Sequence, residues 1–301
     1  MHNVNPGFRT TGLLTAKVAL APARYDSSLK RMMFADELLH RTETLPGVRS
    51  AAMAMSLPAT SWYRTDIQIE GKPWDPNPGN WPSVQIQSVT PDYFRTLQIP
   101  LERGREFTPR DNSAGSPSAV IINESFARRF WPRYPVGENP VGQYLREGAD
   151  KTDWMPIVGI VADVHEGGLA VEPLPELYVP WTVHAPQTAY LVARADRDAL
   201  QLTDAFEMQL QAVDPNEALS DIETMDAVLE SRLGQRRLAM WAVTAFATLA
   251  LALTVVGIYG VVAYSVTQRT QEVGIRRAPG AQESDIFRIV LGHAVGLALR
   301  G

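Results

Sequence analysis

The chain has 301 residues, 45% of them hydrophobic and 20% charged, with a net charge of −5. That length suits about two domains and that composition a packed core, while the acidic balance offers no broad basic face for nucleic acid. There is no cysteine, which excludes disulfides, thiolate nucleophiles and cysteine-based metal sites.

The opening residues, MHNVNPGFRT, lack the basic and apolar regions of a secretory signal. LLTAKVAL then alternates Leu14, Ala16, Val18 and Leu20 against Thr15, Lys17 and Ala19, which predicts a half-buried strand. SSLKRMMFADELLHRTETLPG reads as a helix capped by Ser27 or Ser28 and stopped by Pro46-Gly47. Phe34, Leu38 and Leu45 share one face of it, and Met32 and Met33 widen the apolar arc. VRSAAMAM is expected to be a second strand.

Eighteen of the 22 prolines and six of the seven tryptophans lie between Pro46 and Pro186, a density that favours short strands and turns over long helices. Beyond this stretch AYLVARA is strand-like. DALQLTDAFEMQLQAV carries Leu202, Phe206, Leu210 and Val213 on one helical stripe, ended by Asp214-Pro215, and ALSDIETM reads as another strand. Two strand–helix–strand units, about 11–55 and 190–225, therefore bracket a β-rich insert of about 64–186. Neither unit buries enough by itself, whereas together they make one sheet with two helices on a face, a split βαβ arrangement.

Leu238 to Val266 contains no charged residue over 29 positions. A helix of that length runs about 43 Å at 1.5 Å per residue, and a bilayer core of about 30 Å needs about 20 residues. This segment is expected to span a membrane, with Tyr259 and Tyr264 as interfacial anchors. Arg232, Arg236 and Arg237 precede it and Arg269, Arg276 and Arg277 follow it, so counting positive charge leaves its orientation open. The last residues, 286–301, turn apolar again around Arg288, His293 and Arg300 and read as the first turns of another membrane helix.

Catalytic motifs are missing. No P-loop, dinucleotide fingerprint or nucleophile elbow occurs. HEGGL at 165–169 has Leu169 where a zinc helix needs its second histidine, and the five histidines are scattered, so no metal site is expected. Asp163 and Glu166 sit in a turn-like stretch and read as solvated acids. Asn123 opens a glycosylation sequon of a kind common by chance, and the tryptophans read as core rather than as a ligand cleft. No catalytic or cofactor-binding residue is nominated, and the chain is expected not to be an enzyme; one tethered by a single helix is the remote alternative.

The segment after the apolar run, QRTQEVGIRRAPGAQ, resembles the cytoplasmic motif of FtsX-like ABC-transporter permeases. Arg269, Glu272, Val273, Gly274, Ile275, Arg276, Ala278, Gly280 and Ala281 match that motif, and Pro279 departs from it where a large aliphatic is usual. NPGFRTTGLLTAKVAL, VTPDYFRTLQIPLERGREFTPRD, AVIINESFARRFWP, NPVGQYL, IVGIVADVHEGGL and PELYVPW are similar to successive blocks of the periplasmic core domain of macrolide-exporter (MacB-type) permeases. The resemblance implies an α+β, discontinuous, two-lobed periplasmic domain followed by a transmembrane helix in the bacterial inner membrane. Residues 1–60 and 187–230 would form the split βαβ lobe and 61–186 the inserted lobe. Residues 236–267 would be the membrane helix, 268–285 a cytoplasmic coupling helix and 286–301 the start of a further, truncated span. An upstream membrane helix is expected as well.

The same resemblance implies a homodimer working with a cytoplasmic ABC ATPase that binds the ATP, and a periplasmic adaptor or outer-membrane partner. The ATPase would dock on Arg269, Glu272, Gly274, Arg276 and Gly280, and nucleotide-driven motion would reach the periplasmic domain to export drugs, peptides or lipoprotein-like cargo. The competing implication is a non-transporting adaptor that activates a partner such as a cell-wall hydrolase.

Overall fold

The computed structural model describes residues 6–58, 63–73, 75–113, 115, 118–148, 153–165, 172–196 and 199–268. It divides into two units, Met1–Ser231 and Arg232–Gly301. The first begins with β1 (Leu13–Ala19), α1 (Ser28–Glu43), β2 (Val48–Ala54), β3 (Arg64–Ile69) and β4 (Ser83–Val89). Then come α2 (Tyr93–Leu97), β5 (Leu101–Gly104), β6 (Val120–Asn123), α3 (Glu124–Phe130), β7 (Tyr144–Glu147) and β8 (Met155–Val161). β9 (Glu176–Pro180), β10 (Thr188–Ala195), α4 (Thr203–Val213) and β11 (Leu219–Thr224) complete it, and α5 (Met225–Gln268) follows.

Four strands lie in the order β11-β1-β10-β2, each antiparallel to its neighbour. β1 and β2 are thus parallel with β10 between them, and β10 and β11 are parallel with β1 between them. This is the split βαβ arrangement. Phe34, Ala35 and Leu38 of α1 and Phe206 and Leu210 of α4 cover one face, against Leu14, Val18, Met53 and Leu191. Ser27 caps α1 as expected, accepting a hydrogen bond from the Lys30 amide.

The remaining strands close on themselves. From β4 the order runs β3, β7, β8, β6 and β9, and β9 pairs in parallel with β4 again, while β5 hangs on β8. Closure leaves no open edge among these six strands. Ile67, Ile69, Val84, Ile86, Ile122, Ile157 and Leu177 form the core of this small barrel together with Phe126 of α3 and Trp131.

A third core joins the sheet to the barrel: Leu13, Ala52 and Val192 from the sheet, Val89, Ile121 and Tyr178 from the barrel, and Tyr93, Phe94 and Leu97 of α2. This core corrects the reading of the first strand. Leu13 to Ala16 are all buried, because Leu13 faces the joint core while Leu14 faces the helices. The single ladder pair Ala54–Val89 links β2 to β4, extended by Met55 N–H to Ser88 O and Thr90 N–H to Met53 O.

Two polar readings change as well. Asp163 is not a solvated turn acid: it accepts from the Ser125 amide (2.7 Å) and hydroxyl (2.8 Å) and from Arg128 (3.1 Å), clamping the start of α3. Asn123 of the sequon is buried. Its amide oxygen caps α3 at the Phe126 amide and also accepts from the Glu176 amide, while its NH₂ donates to Leu174 O. Trp81, Trp131 and Trp181 are buried, in line with a packing role, whereas Trp154 is exposed, with the Arg146 guanidinium over its ring. Glu166, Trp62 and Trp74 lie outside the described residues.

Candidate functional site

The folded domain passes into the apolar helix through its last strand, β11. β11 pairs with β1, and Leu14 lies opposite Thr224, so the strand that opens the domain runs beside the strand that leaves it. The Thr224 hydroxyl accepts from the Ala227 amide and caps the start of α5. Met225 is fully buried in the joint core, and Val228 and Leu229 pack against it. The helix therefore begins inside the domain, well before Leu238, at the contact shared by sheet and barrel.

The segment that enters at the same place is tied down by Arg194 of β10. This side chain is buried, and its guanidinium donates to Thr96 O (2.7 Å), Thr11 O (2.8 Å) and Arg9 O (2.7 Å). Burial, with the nearby charges of Arg9 and Arg49, lowers its pKa, so the cation is held at a cost that three carbonyl bonds offset. Gly7 adopts φ +90°, and a Cβ there would lie 2.1 Å from Asp163 O; only glycine lets the entering segment press against that loop. The His165 amide donates to Pro6 O from the same loop. Nothing in the periodicity of AYLVARA marks Arg194 as the organiser of this contact. The available signal was a lone arginine in an otherwise apolar strand.

Farther along α5, Met240–Tyr264 is 25 residues with a mean hydropathy of 2.2 and no burial of its side chains. It is long and apolar enough to cross a membrane. Thr244, Thr248 and Thr254 each return their hydroxyl to the carbonyl four residues back, at 2.8 Å, so these hydroxyls need no water. Tyr259 and Tyr264 are exposed on this helix. Gly257 and Gly260 sit about one turn apart on this helix, where small side chains permit close approach of another helix. Arg269, Glu272, Gly274, Arg276 and Gly280 lie outside the described residues. Among the described residues no cluster of three or more histidine, aspartate or glutamate side chains is placed to hold a metal.

Comparison with known proteins agrees with this architecture. Residues 4–225 match the MacB-like periplasmic core domain, and residues 244–301 match the FtsX-like permease C-terminal domain. The macrolide export ATP-binding/permease protein MacB of Agrobacterium fabrum is 28% identical over 240 residues, covering 73% of this chain and 34% of that protein. The probable syringafactin export ATP-binding/permease protein SyfD of Pseudomonas syringae pv. tomato is 26% identical over 230 residues, covering 72% of this chain and 32% of that protein. The chain thus spans about a third of the length of these relatives. Among solved structures, the periplasmic region of MacB from Actinobacillus actinomycetemcomitans superposes with a TM-score of 0.50 at 14% identity, covering 77% of this chain and 96% of that one, which supports the shared fold. A split βαβ sheet joined to a small barrel, an apolar helix rooted in their common core and these two matches in series lead to one assignment: the chain belongs to the MacB-like, FtsX-type family of ABC permeases.

Proposed function

We propose that this chain serves as the membrane subunit of an ABC-type exporter, passing ATP-driven motion from a cytoplasmic ATPase to an outer domain. The observation that carries this reading is the continuity of α5, which is buried at Met225 in the joint core and runs unbroken to Gln268, directly before the R-x-x-E-V-G-I-R motif. In this reading α5 passes a displacement at its far end on to the domain in which it begins. Residues 1–235 would lie in the periplasm and 268–285 in the cytoplasm of a bacterial inner-membrane protein. The lobes 1–60 with 187–230 and 61–186 would be the parts that α5 moves.

In this reading Arg269, Glu272 and Arg276 offer the ATPase charges for pairing, and Gly274 and Gly280 allow its close approach. The permease works as a homodimer with its ATPase, and a periplasmic adaptor or outer-membrane partner receives the cargo. The names of its relatives speak of macrolide and syringafactin export, which supports export as the function, with drugs, peptides or lipoprotein-like molecules as the proposed cargo.

The test is reconstitution of the full-length protein with its ATPase in lipid nanodiscs. Glu272→Arg and Arg276→Glu are each expected to lower permease-stimulated ATP hydrolysis at least tenfold, with tryptophan fluorescence of the outer domain unchanged. Stimulation retained in both variants refutes docking at this motif.

A further inference from the structure

α1 uses one face for the core, and among the described residues nothing covers a second face. Leu29, Met33, Asp36, Leu39 and Glu43 follow one another along it and form one wall of a groove of about 750 Å³. Pro91 and Pro109, from the loops before α2 and after β5, form the other. Leu29 is 57% and Met33 64% exposed, although both are large and apolar.

The charges are one-sided. Among the described residues three acids, Asp36, Glu43 and Asp92, and one histidine, His40, line the groove, and no lysine or arginine does. The cations of α1 are engaged elsewhere: Lys30 pairs with Asp26, Arg41 with Glu37, and Arg31 donates to Ala185 O and Tyr25 O. Asp92 has Arg95, whereas no ion pair among the described residues reaches Asp36 or Glu43. Partial burial raises the Asp36 carboxyl above its ordinary value, a cost that a cation docked beside it would remove.

From this geometry we infer that the outer face of α1 is a docking groove for a basic amphipathic helix of another protein. The fifteen residues from Leu29 to Glu43 span about 21 Å, or four helical turns. That length fits an elongated helix better than a compact ligand. Unbranched methionines adapt to varied apolar side chains, and a partner with apolar residues three and four apart and lysines or arginines beside them complements the pattern of α1.

The absence of native cysteine makes a local test possible. The full chain in zwitterionic lipid nanodiscs carries an environment-sensitive fluorophore on Met33→Cys, or on Met208→Cys, an exposed position of α4, as control. The probes are a synthetic leucine–lysine helical peptide of about 18 residues, five turns, and its leucine–glutamate counterpart. The leucine–lysine peptide is expected to give a saturable, salt-weakened shift with the Met33→Cys label alone. Asp36→Asn with Glu43→Gln is expected to weaken it at least tenfold, with the thermal transition unchanged. The leucine–glutamate peptide should give no shift. No shift with the basic peptide, equal shifts at both label sites, equal response to both peptides, or affinity unmoved by the double substitution would each overturn the proposal. Disulfide formation between two copies of the unlabelled Met33→Cys variant would assign the face to a second copy instead and overturn it as well.

Discussion

Glu176 shows how one residue sets a condition on this fold. It is buried on β9, between β4 and β6, and accepts a hydrogen bond from the Tyr178 hydroxyl at 2.7 Å. Desolvation, reinforced by the nearby charge of Asp163, raises its pKa from 4.5 to about 7. Between those values the folded chain keeps a proton that the unfolded chain has lost. The stability contributed by this group is therefore complete below about pH 4.5 and declines as pH rises to about 7, at up to about 1.4 kcal/mol per unit. Glu176→Gln, which keeps the shape and still accepts from Tyr178, is expected to flatten this slope and stabilise the domain at pH 7 to 8. Denaturant unfolding followed by tryptophan fluorescence across pH 4.5–8 measures it, and an unchanged slope in the variant would assign the pH dependence to other groups. Neither this role nor the α3 clamp at Asp163 was legible in the residues alone. In Glu176 and Asp163 the sequence shows two acids in Pro- or Gly-rich surroundings, and burial arises only when distant strands close over them.

Among the elements, α5 was the most legible. An apolar run of that length is a local property, and it needs no tertiary contact to be recognised. Its beginning was not legible, because the turns from Met225 to Ser231 carry mixed polar and apolar residues whose meaning depends on the joint core they enter. The proposed topology predicts that the two ends of this helix face different compartments. In intact cells a membrane-impermeant maleimide should modify Ser231→Cys but reach Gln268→Cys only after permeabilisation. Modification of both in intact cells would remove the membrane span. α1 and α4 were legible from their apolar stripes; Met33, read as widening the apolar arc of α1, is exposed, the buried residues of the helix being Phe34, Ala35, Leu38 and Thr42. At the start of α4, the run expected to be helical opens with a tight 3-10 turn at Ala199–Leu202 before the α-helix from Thr203.

At the scale of the molecule, the joint core binds sheet, barrel and the root of α5 into one compact unit, Met1–Ser231. Phe94 is fully buried there, against Tyr93, Phe107 and Tyr178. Phe94→Ala is expected to cost about 3–5 kcal/mol and to leave a single unfolding transition, since the cavity is shared by both halves. Two separated transitions in a nanodisc thermal melt would show instead that sheet and barrel unfold independently. What the amino-acid sequence determined by itself was whatever depends on near neighbours: the strands and helices of the two flanking units, the apolar span and the charged motif after it. The tertiary structure decided the closure of β9 onto β4, the carbonyl contacts of Arg194 and the burial of Met225. The partners of Arg194 lie 98, 183 and 185 residues away along the chain. Contacts at such separations leave no periodic trace in the sequence, because their energy exists only once the intervening chain has folded.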